Sequence, residues 1–179
     1  MIKNFLFITV FFYFSFFNTI VLANSIVYLD MNKIMNTSKP GISIIEQLNK
    51  INKDNLAFFD KSEKNFKKKE KTLLGQKNIL SDDEFTKKVN NLRMEIKAYN
   101  KSREDKINKL SQQRLIATNN LLKSINPILT KYSDENSISL IIQKKNLVMG
   151  IKKLDITEKI LIIINDQIKK TSIKWHQAH

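Results

Sequence analysis

Side chains that could perform catalysis or bind a metal are scarce in this sequence, and those present lack partners. The only two histidines, His176 and His179, lie near the C-terminus in what reads as a disordered end, and cysteine is absent. The densest acidic segment, Ser81-Asp82-Asp83-Glu84, could bind Ca²⁺ or transfer protons, but no further ligand set or base accompanies it. Its Ser-to-Glu spacing is instead that of a capping box. Since no glycine-rich phosphate loop occurs either, the sequence predicts no enzyme, no metal site and no cofactor.

Positive charge is the other chemical feature of the chain. The formal net charge is +14 at pH 7, and lysines cluster in one short segment. The cluster consists of Lys64, Lys67, Lys68, Lys69 and Lys71. Such a surface favours acidic partners, including anionic lipid head groups and acidic unfolded chains. The alternative is a genome rich in A and T, which raises the content of Lys, Asn and Ile together.

The elements that carry these charges are predicted to be two long helices. From Gly41 to Ile125 the chain has one internal glycine, Gly75, and no proline, and its apolar residues are three and four apart. In the first helix the apolar stripe recurs every seven residues, at Ile45, Asn52, Phe59, Phe66, Leu73 and Leu80. In the second it runs through Phe85, Val89, Leu92, Ile96 and Tyr99, then continues through Arg103, Ile107, Leu110, Arg114, Ala117, Leu121, Ile125 and Ile128. The pattern predicts an antiparallel helical-hairpin (coiled-coil) arm, 41–125, about 55 Å long.

The two ends of the chain are predicted to form a small β-rich body, 24–40 and 126–170. The run from Ile26 to Leu29 reads as a strand, followed by a short helix and a break at Pro40-Gly41. After Pro127, which marks a kink or the entry into the body, two apolar runs, 138–142 and 147–151, are joined by four polar residues and predict a β-hairpin. A final helix begins near Asp155. Residues 171–179 are predicted to be a flexible tail, and the fold class is mainly α with a small β body.

The N-terminus predicts export. A basic start, an apolar run from Phe5 to Leu22 and a small residue at Ala23 are typical of a signal peptide, 1–23. An uncleaved membrane anchor is the alternative, because the run is nearly long enough to span a bilayer. An exported protein without disulfides fits a bacterial cell envelope, so we expect a periplasmic location, and this location argues against nucleic-acid binding.

The order of elements resembles the Skp/OmpH family of periplasmic chaperones. The resemblance is carried by Ile26–Met31, by the runs Ser139–Ile142 and Leu147–Met149, and by Lys153-Leu154-Asp155-Ile156-Thr157. It implies a homotrimer whose strands form a shared barrel and whose arms enclose a cavity. The implied subunit-interface residues are Ile26, Tyr28, Leu140, Ile141, Ile142, Leu147 and Met149. The implied cavity-lining or arm-seam residues include Phe59, Phe66, Phe85 and Tyr99.

Two functions remain open from the sequence. One is an ATP-independent holdase that keeps unfolded outer-membrane β-barrel proteins soluble, with the lysine cluster capturing acidic clients, anionic lipid or lipopolysaccharide. The other is a structural coiled-coil spacer of the cell envelope, for which a regular seam is expected throughout the arm.

Overall fold

The computed structural model describes residues 25–168, which form a mainly helical chain, as predicted, with a small sheet of two strands where the sequence predicted three. The predicted signal peptide, 1–23, and tail, 171–179, lie outside the described residues. The elements follow in the order β1 (Ser25–Leu29), α1 (Met31–Thr37), α2 (Lys39–Gly75), α3 (Asp82–Glu135), β2 (Ile138–Gln143) and α4 (Thr157–Gln167).

The sheet joins the two ends of the chain. Strands β1 and β2 pair in parallel, with Ile26 opposite Leu140 and Tyr28 opposite Ile142. On the other edge of β1, the backbone N–H of Ile156 donates to the carbonyl of Tyr28. The sheet therefore brings residues that are more than a hundred positions apart into direct contact.

The predicted β-hairpin is wrong. The first apolar run does form β2, but its partner is β1, and the segment 147–151 is not a strand. The polar link between the runs begins with a 3₁₀ turn, Lys144–Asn146. Because the free edge of β1 is occupied by the segment at Asp155, the second run finds no strand partner within residues 25–168.

The predicted break at Pro40-Gly41 is displaced. The helices α1 and α2 meet at Ser38, whose side chain accepts a hydrogen bond from the backbone N–H of Gly41 at 3.2 Å. Both Pro40 and Gly41 lie in the first turn of α2. Proline is tolerated there because a first-turn N–H has no intrahelical acceptor.

A single apolar core lies where the helices meet the sheet. It is formed by one face of β1, by α1, by the ends of α2 and α3 nearest the sheet, and by α4. Ile34, Ile125, Ile160 and Ile164 have no exposed surface. Beyond Leu48 and Ala117 the buried core ends, and the two long helices continue outward.

Helices α2 and α3 run antiparallel and are joined by the turn 76–81. Their cross-contacts pair Phe59 with Tyr99 and Lys69 with Glu95. The Ser81–Glu84 capping box predicted at the start of α3 is confirmed. Helix α3 passes through Pro127, where the sequence predicted a kink or the entry into the body, and ends at Glu135. Only one helical hydrogen bond is lost at a proline, and Ile125 and Ile128 hold both sides of it in the core.

The seam between α2 and α3 is partly polar, and its register differs from the predicted one. Ile44, not Ile45, is buried at the base, and Ile107 is exposed whereas the neighbouring Lys106 is half-buried. Asn55, Ser62 and Ser102 also take half-buried positions in the seam. The steps of four and three residues do not follow a strict heptad, so the buried stripe drifts around each helix.

Candidate binding surfaces

All five residues of the lysine cluster are exposed on the last third of α2, before the turn. Lys64 pairs with Asp60 one turn earlier, and Lys69 pairs across the arm with Glu95. Lys67, Lys68 and Lys71 make no ion pair within the described chain. Exposed pairs of this kind contribute little to stability, about 0–1 kcal/mol, so the cluster is not explained by the fold.

A groove of about 420 Å³ runs beside the cluster between α2 and α3. Lys68, Lys69 and Lys88 line it, with Glu95 as its carboxylate. Leu73 and Leu92 form its apolar base. The groove can therefore contact both an acidic group and an apolar side chain.

Four aromatic rings pack together between α2 and α3 in the middle of the arm. The rings of Phe66 and Tyr99 lie 5.3 Å apart, and Phe58 and Phe59 lie within 6.4 Å of Tyr99. The Tyr99 hydroxyl donates to Glu63 at 2.9 Å, and Arg103 pairs with the same carboxylate at 3.3 Å. Burial, and then the hydrogen bond to Glu63, raise the pKa of Tyr99 above its ordinary value. We call Phe58, Phe59, Phe66 and Tyr99 the aromatic clamp.

The contacts of the aromatic clamp distinguish between the two roles predicted for these rings, which are lining the cavity and packing in the seam of the arm. Phe59 and Tyr99 are buried in the seam, and Phe66 is half-buried beside them, so the contacts favour seam packing. A direct contact between a partner and Phe59 or Tyr99 requires the arm to open. Phe85, near the turn, is half-buried, and its role in binding stays a prediction.

The body exposes an apolar face. Val27 and Ile141 point into the core, but the paired residues Ile26 and Leu140 on the opposite face are 52% and 50% exposed. Met149 is 88% exposed in the adjacent segment. Parallel strands are normally covered on both faces, so this face lacks a cover in the single chain.

The other predicted interface residues are less accessible. Tyr28 is buried under Gly150, where an added Cβ would come within 2.7 Å of the ring. Ile141, Ile142 and Leu147 are half-buried. Of the seven residues, Ile26, Leu140 and Met149 are thus the most exposed in the single chain.

A polar network fixes the loop after β2 to the sheet. The Thr157 hydroxyl donates to Asp155 and accepts from the backbone N–H of Asp30, and Lys144 pairs with Asp155 at 3.2 Å. Burial alone would raise the pKa of Asp155, but the hydrogen bonds from Thr157 and Lys144 outweigh it and lower the pKa below its ordinary value. The network therefore has a structural role, since it attaches the loop to the sheet.

A cavity of about 310 Å³ at the base of the arm was not predicted from the sequence. It lies between α1, α2 and α3, and its single charged lining residue is Arg114. We call it the arm-base cavity. The available signal was Arg114 itself, a cation within the apolar periodicity of α3, one turn before Ala117.

No group of three or more His, Cys, Asp or Glu side chains between residues 25 and 168 could hold a metal ion. None of the helices in that range combines the length and the hydropathy of a membrane span.

The fold and these surfaces define a class of protein: a small mixed body from which a long, basic two-helix arm projects. The family model described as outer membrane protein (OmpH-like) matches residues 25–163, so the chain belongs to the OmpH-like family. This confirms the resemblance stated from the sequence.

A solved structure shares the fold. It is a protein of Caulobacter crescentus CB15 that its description assigns to the OmpH-like outer membrane chaperones. The TM-score is 0.77 at 13% identity, covering 82% of this chain and 86% of the other. No curated protein matched the sequence.

Proposed function

We propose that the protein is an ATP-independent periplasmic holdase chaperone, exported by a cleaved signal peptide. As a homotrimer it binds unfolded outer-membrane β-barrel proteins between its arms and keeps them soluble for delivery to the outer membrane. The observation that carries this proposal is the OmpH-like match over residues 25–163, which spans both the body and the arm.

The chemistry of the arm supports a holdase. Its outer half is basic and only sparsely apolar, so it offers many weak contacts and no single deep pocket. Contacts of this kind add up over several arms and yet release without nucleotide hydrolysis. The broken, partly polar seam is unlike the regular seam expected of a structural spacer.

The primary test is whether the purified mature protein prevents aggregation. An unfolded outer-membrane β-barrel protein would be diluted from urea with and without the chaperone, and light scattering recorded. We expect suppression near one trimer per client. A spacer would leave scattering unchanged at any ratio.

Trimer formation is expected to depend on the exposed sheet face. The substitution Leu140→Asp places a charge on a side chain that is exposed in the single chain, so the protomer should still fold. In a trimer the same charge is buried without a partner, which costs several kcal/mol at each copy. Mass in solution, measured by multi-angle light scattering, should fall from trimer to monomer.

The matched control is Met94→Asp, which places the same charge on an arm residue that is 62% exposed. We expect this variant to stay trimeric. A Leu140→Asp variant that stays trimeric, or an unmutated protein that is monomeric, would contradict the proposal that three arms enclose a cavity.

Capture by the lysine cluster is expected to depend on salt. Exposed charges attract over about 8 Å at physiological ionic strength, and over longer distances in dilute buffer. Replacing Lys64, Lys67, Lys68, Lys69 and Lys71 with Gln should therefore slow association with an acidic unfolded barrel protein by about tenfold or more at low salt. Stopped-flow fluorescence would measure the rate, and the trimer should melt at nearly the same temperature.

The control for this experiment is the parent protein in high salt, where its association rate should approach that of the variant. If variant and parent associate with the client at equal rates at low salt, the high lysine content reflects genome composition and has no part in capture.

A further inference from the structure

The arm-base cavity has an apolar floor. Ile44, Leu48 and Leu121 are buried there, and Met35 of α1 is half-buried against them. At about 310 Å³ the cavity lies at the lower end of the range of ligand pockets, which is about 300–1,000 Å³. It is therefore suited to one or two side chains and not to a helix or a long acyl chain.

Polar groups surround this floor, and only one of them is charged. Arg114 lines the cavity from α3, and Asn32, Asn36 and Asn49 line it from α1 and α2; all four are exposed, so they form its rim. In the described chain no carboxylate lies within ion-pairing distance of Arg114. The lining contains no acidic residue at all, so its electrostatics favour an anion.

A guanidinium group beside an apolar floor matches a particular ligand. The planar fork of arginine binds a carboxylate through two parallel hydrogen bonds. Asparagine amides can both donate to and accept from a peptide backbone. The ligand should thus combine an apolar side chain, a carboxylate close to it, and a peptide backbone.

The C-terminal residue of a polypeptide offers this combination within a single residue. An internal apolar residue is flanked by neutral amides, and Asp or Glu carries a carboxylate without a large apolar group. At a chain's C-terminus, the carboxylate is attached to the same carbon as the side chain. A fatty acid has the carboxylate and the apolar group but no backbone for the amides.

We propose that the arm-base cavity binds the C-terminal residue of an unfolded client when that residue is apolar. Its side chain lies on Ile44, Leu48 and Leu121, and its carboxylate pairs with Arg114. The inference rests on the proposed holdase function and deepens it, since it names the part of the client chain that is held nearest the body.

The test compares two peptides that differ only at the last group. Both are fluorescent nine-residue peptides of alternating polar and apolar residues ending in Phe, one with a free carboxylate and one with an amide. Fluorescence anisotropy at constant ionic strength gives the dissociation constants. We expect the acid to bind about two- to fivefold more tightly, because Arg114 is an exposed side chain and exposed ion pairs are weak.

Variants locate the site. Arg114→Gln should bind the acid and the amide equally, whereas Arg114→Lys should keep part of the preference because the charge is retained without the fork. Lys109→Gln is the matched control: Lys109 is an exposed cation on the same helix that does not line the cavity, so the full preference should remain. Circular dichroism melting would establish that each variant folds.

The results separate this proposal from the proposed function. Equal binding of acid and amide by the parent, binding of neither, or an unchanged preference in Arg114→Gln would overturn it. The parent is assayed in parallel for suppression of barrel-protein aggregation. If the parent suppresses aggregation but binds acid and amide equally, the holdase function stands and the cavity proposal fails. If the parent prefers the acid but does not suppress aggregation, the holdase function fails and the binding of C-terminal residues by the cavity stands.

Discussion

Replacing Gly41 with Ala is expected to destabilise the protein by about 3 kcal/mol, the upper end for overpacking a closed site. A Cβ at this position would lie 2.0 Å from the carbonyl oxygen of Met35 and 2.8 Å from its carbon. Both are backbone atoms of α1, so no side chain can rotate away. To admit the methyl group, α1 must move away from α2.

That movement has a large effect because α1 is a core element. Ile34 of α1 is fully buried, and Ser38 caps α2 through the N–H of Gly41. Displacing α1 therefore opens the core and loosens the helix cap together. Urea unfolding at a fixed protomer concentration measures the change, since the midpoint of an oligomer depends on concentration.

Gly75 supplies the matched control. It ends α2 at the tip of the arm, and a Cβ there would meet no atom within 4 Å. Gly75→Ala should be neutral or stabilising, by up to about 1 kcal/mol, because alanine loses less backbone entropy. Equal midpoints for the two variants would refute the close approach of α1 and α2.

Replacing Tyr99 with Ala is expected to loosen the arm but not the body. Tyr99 is buried and contacts three other rings of the aromatic clamp, and removal of a packed aromatic side chain typically costs about 3–5 kcal/mol. The loss falls on the arm because Tyr99 is not part of the body core.

Hydrogen exchange would resolve the two regions. Amides in the middle of the arm, around Phe59 and Tyr99, should exchange much faster in the variant, whereas those around Ile125 and Ile160 should keep their protection. Met94→Ala, at an exposed site on the same helix, should change neither. Faster exchange throughout the chain would show that arm and body unfold as one unit.

Sequence patterns predicted the helices well where one local signal decides the structure. The capping box at Ser81 and Glu84 placed the start of α3, since both hydrogen bonds form within one turn. The spacing from Phe85 to Tyr99 likewise placed one face of α3 against α2, where these side chains are half-buried or buried.

The sequence predictions were wrong where the structure depends on contacts with residues that are distant in the sequence. Residues 138–142 and 147–151 look equivalent as strands, and only the pairing of β1 with β2 and with Asp155 distinguishes them. Ile45 and Ile107 fit the predicted stripe as well as their neighbours do. Their exposure follows from the drift of the seam, which depends on both helices together. The arm-base cavity needed three helices in place and could not be inferred from any one of them.

The parallel pairing of β1 with β2 also sets an order of events in folding. The Ser25 hydroxyl donates to the carbonyl of Ser137 across 112 positions, and most of the residues between them belong to α1 and the two helices of the arm. Closing so long a loop directly is entropically costly and slow. Contacts between α2 and α3 begin at a short turn and cost far less, so they should form first and bring the two ends together. The body, although it contains the first of the described strands, is then completed last, when β2 and α4 join it.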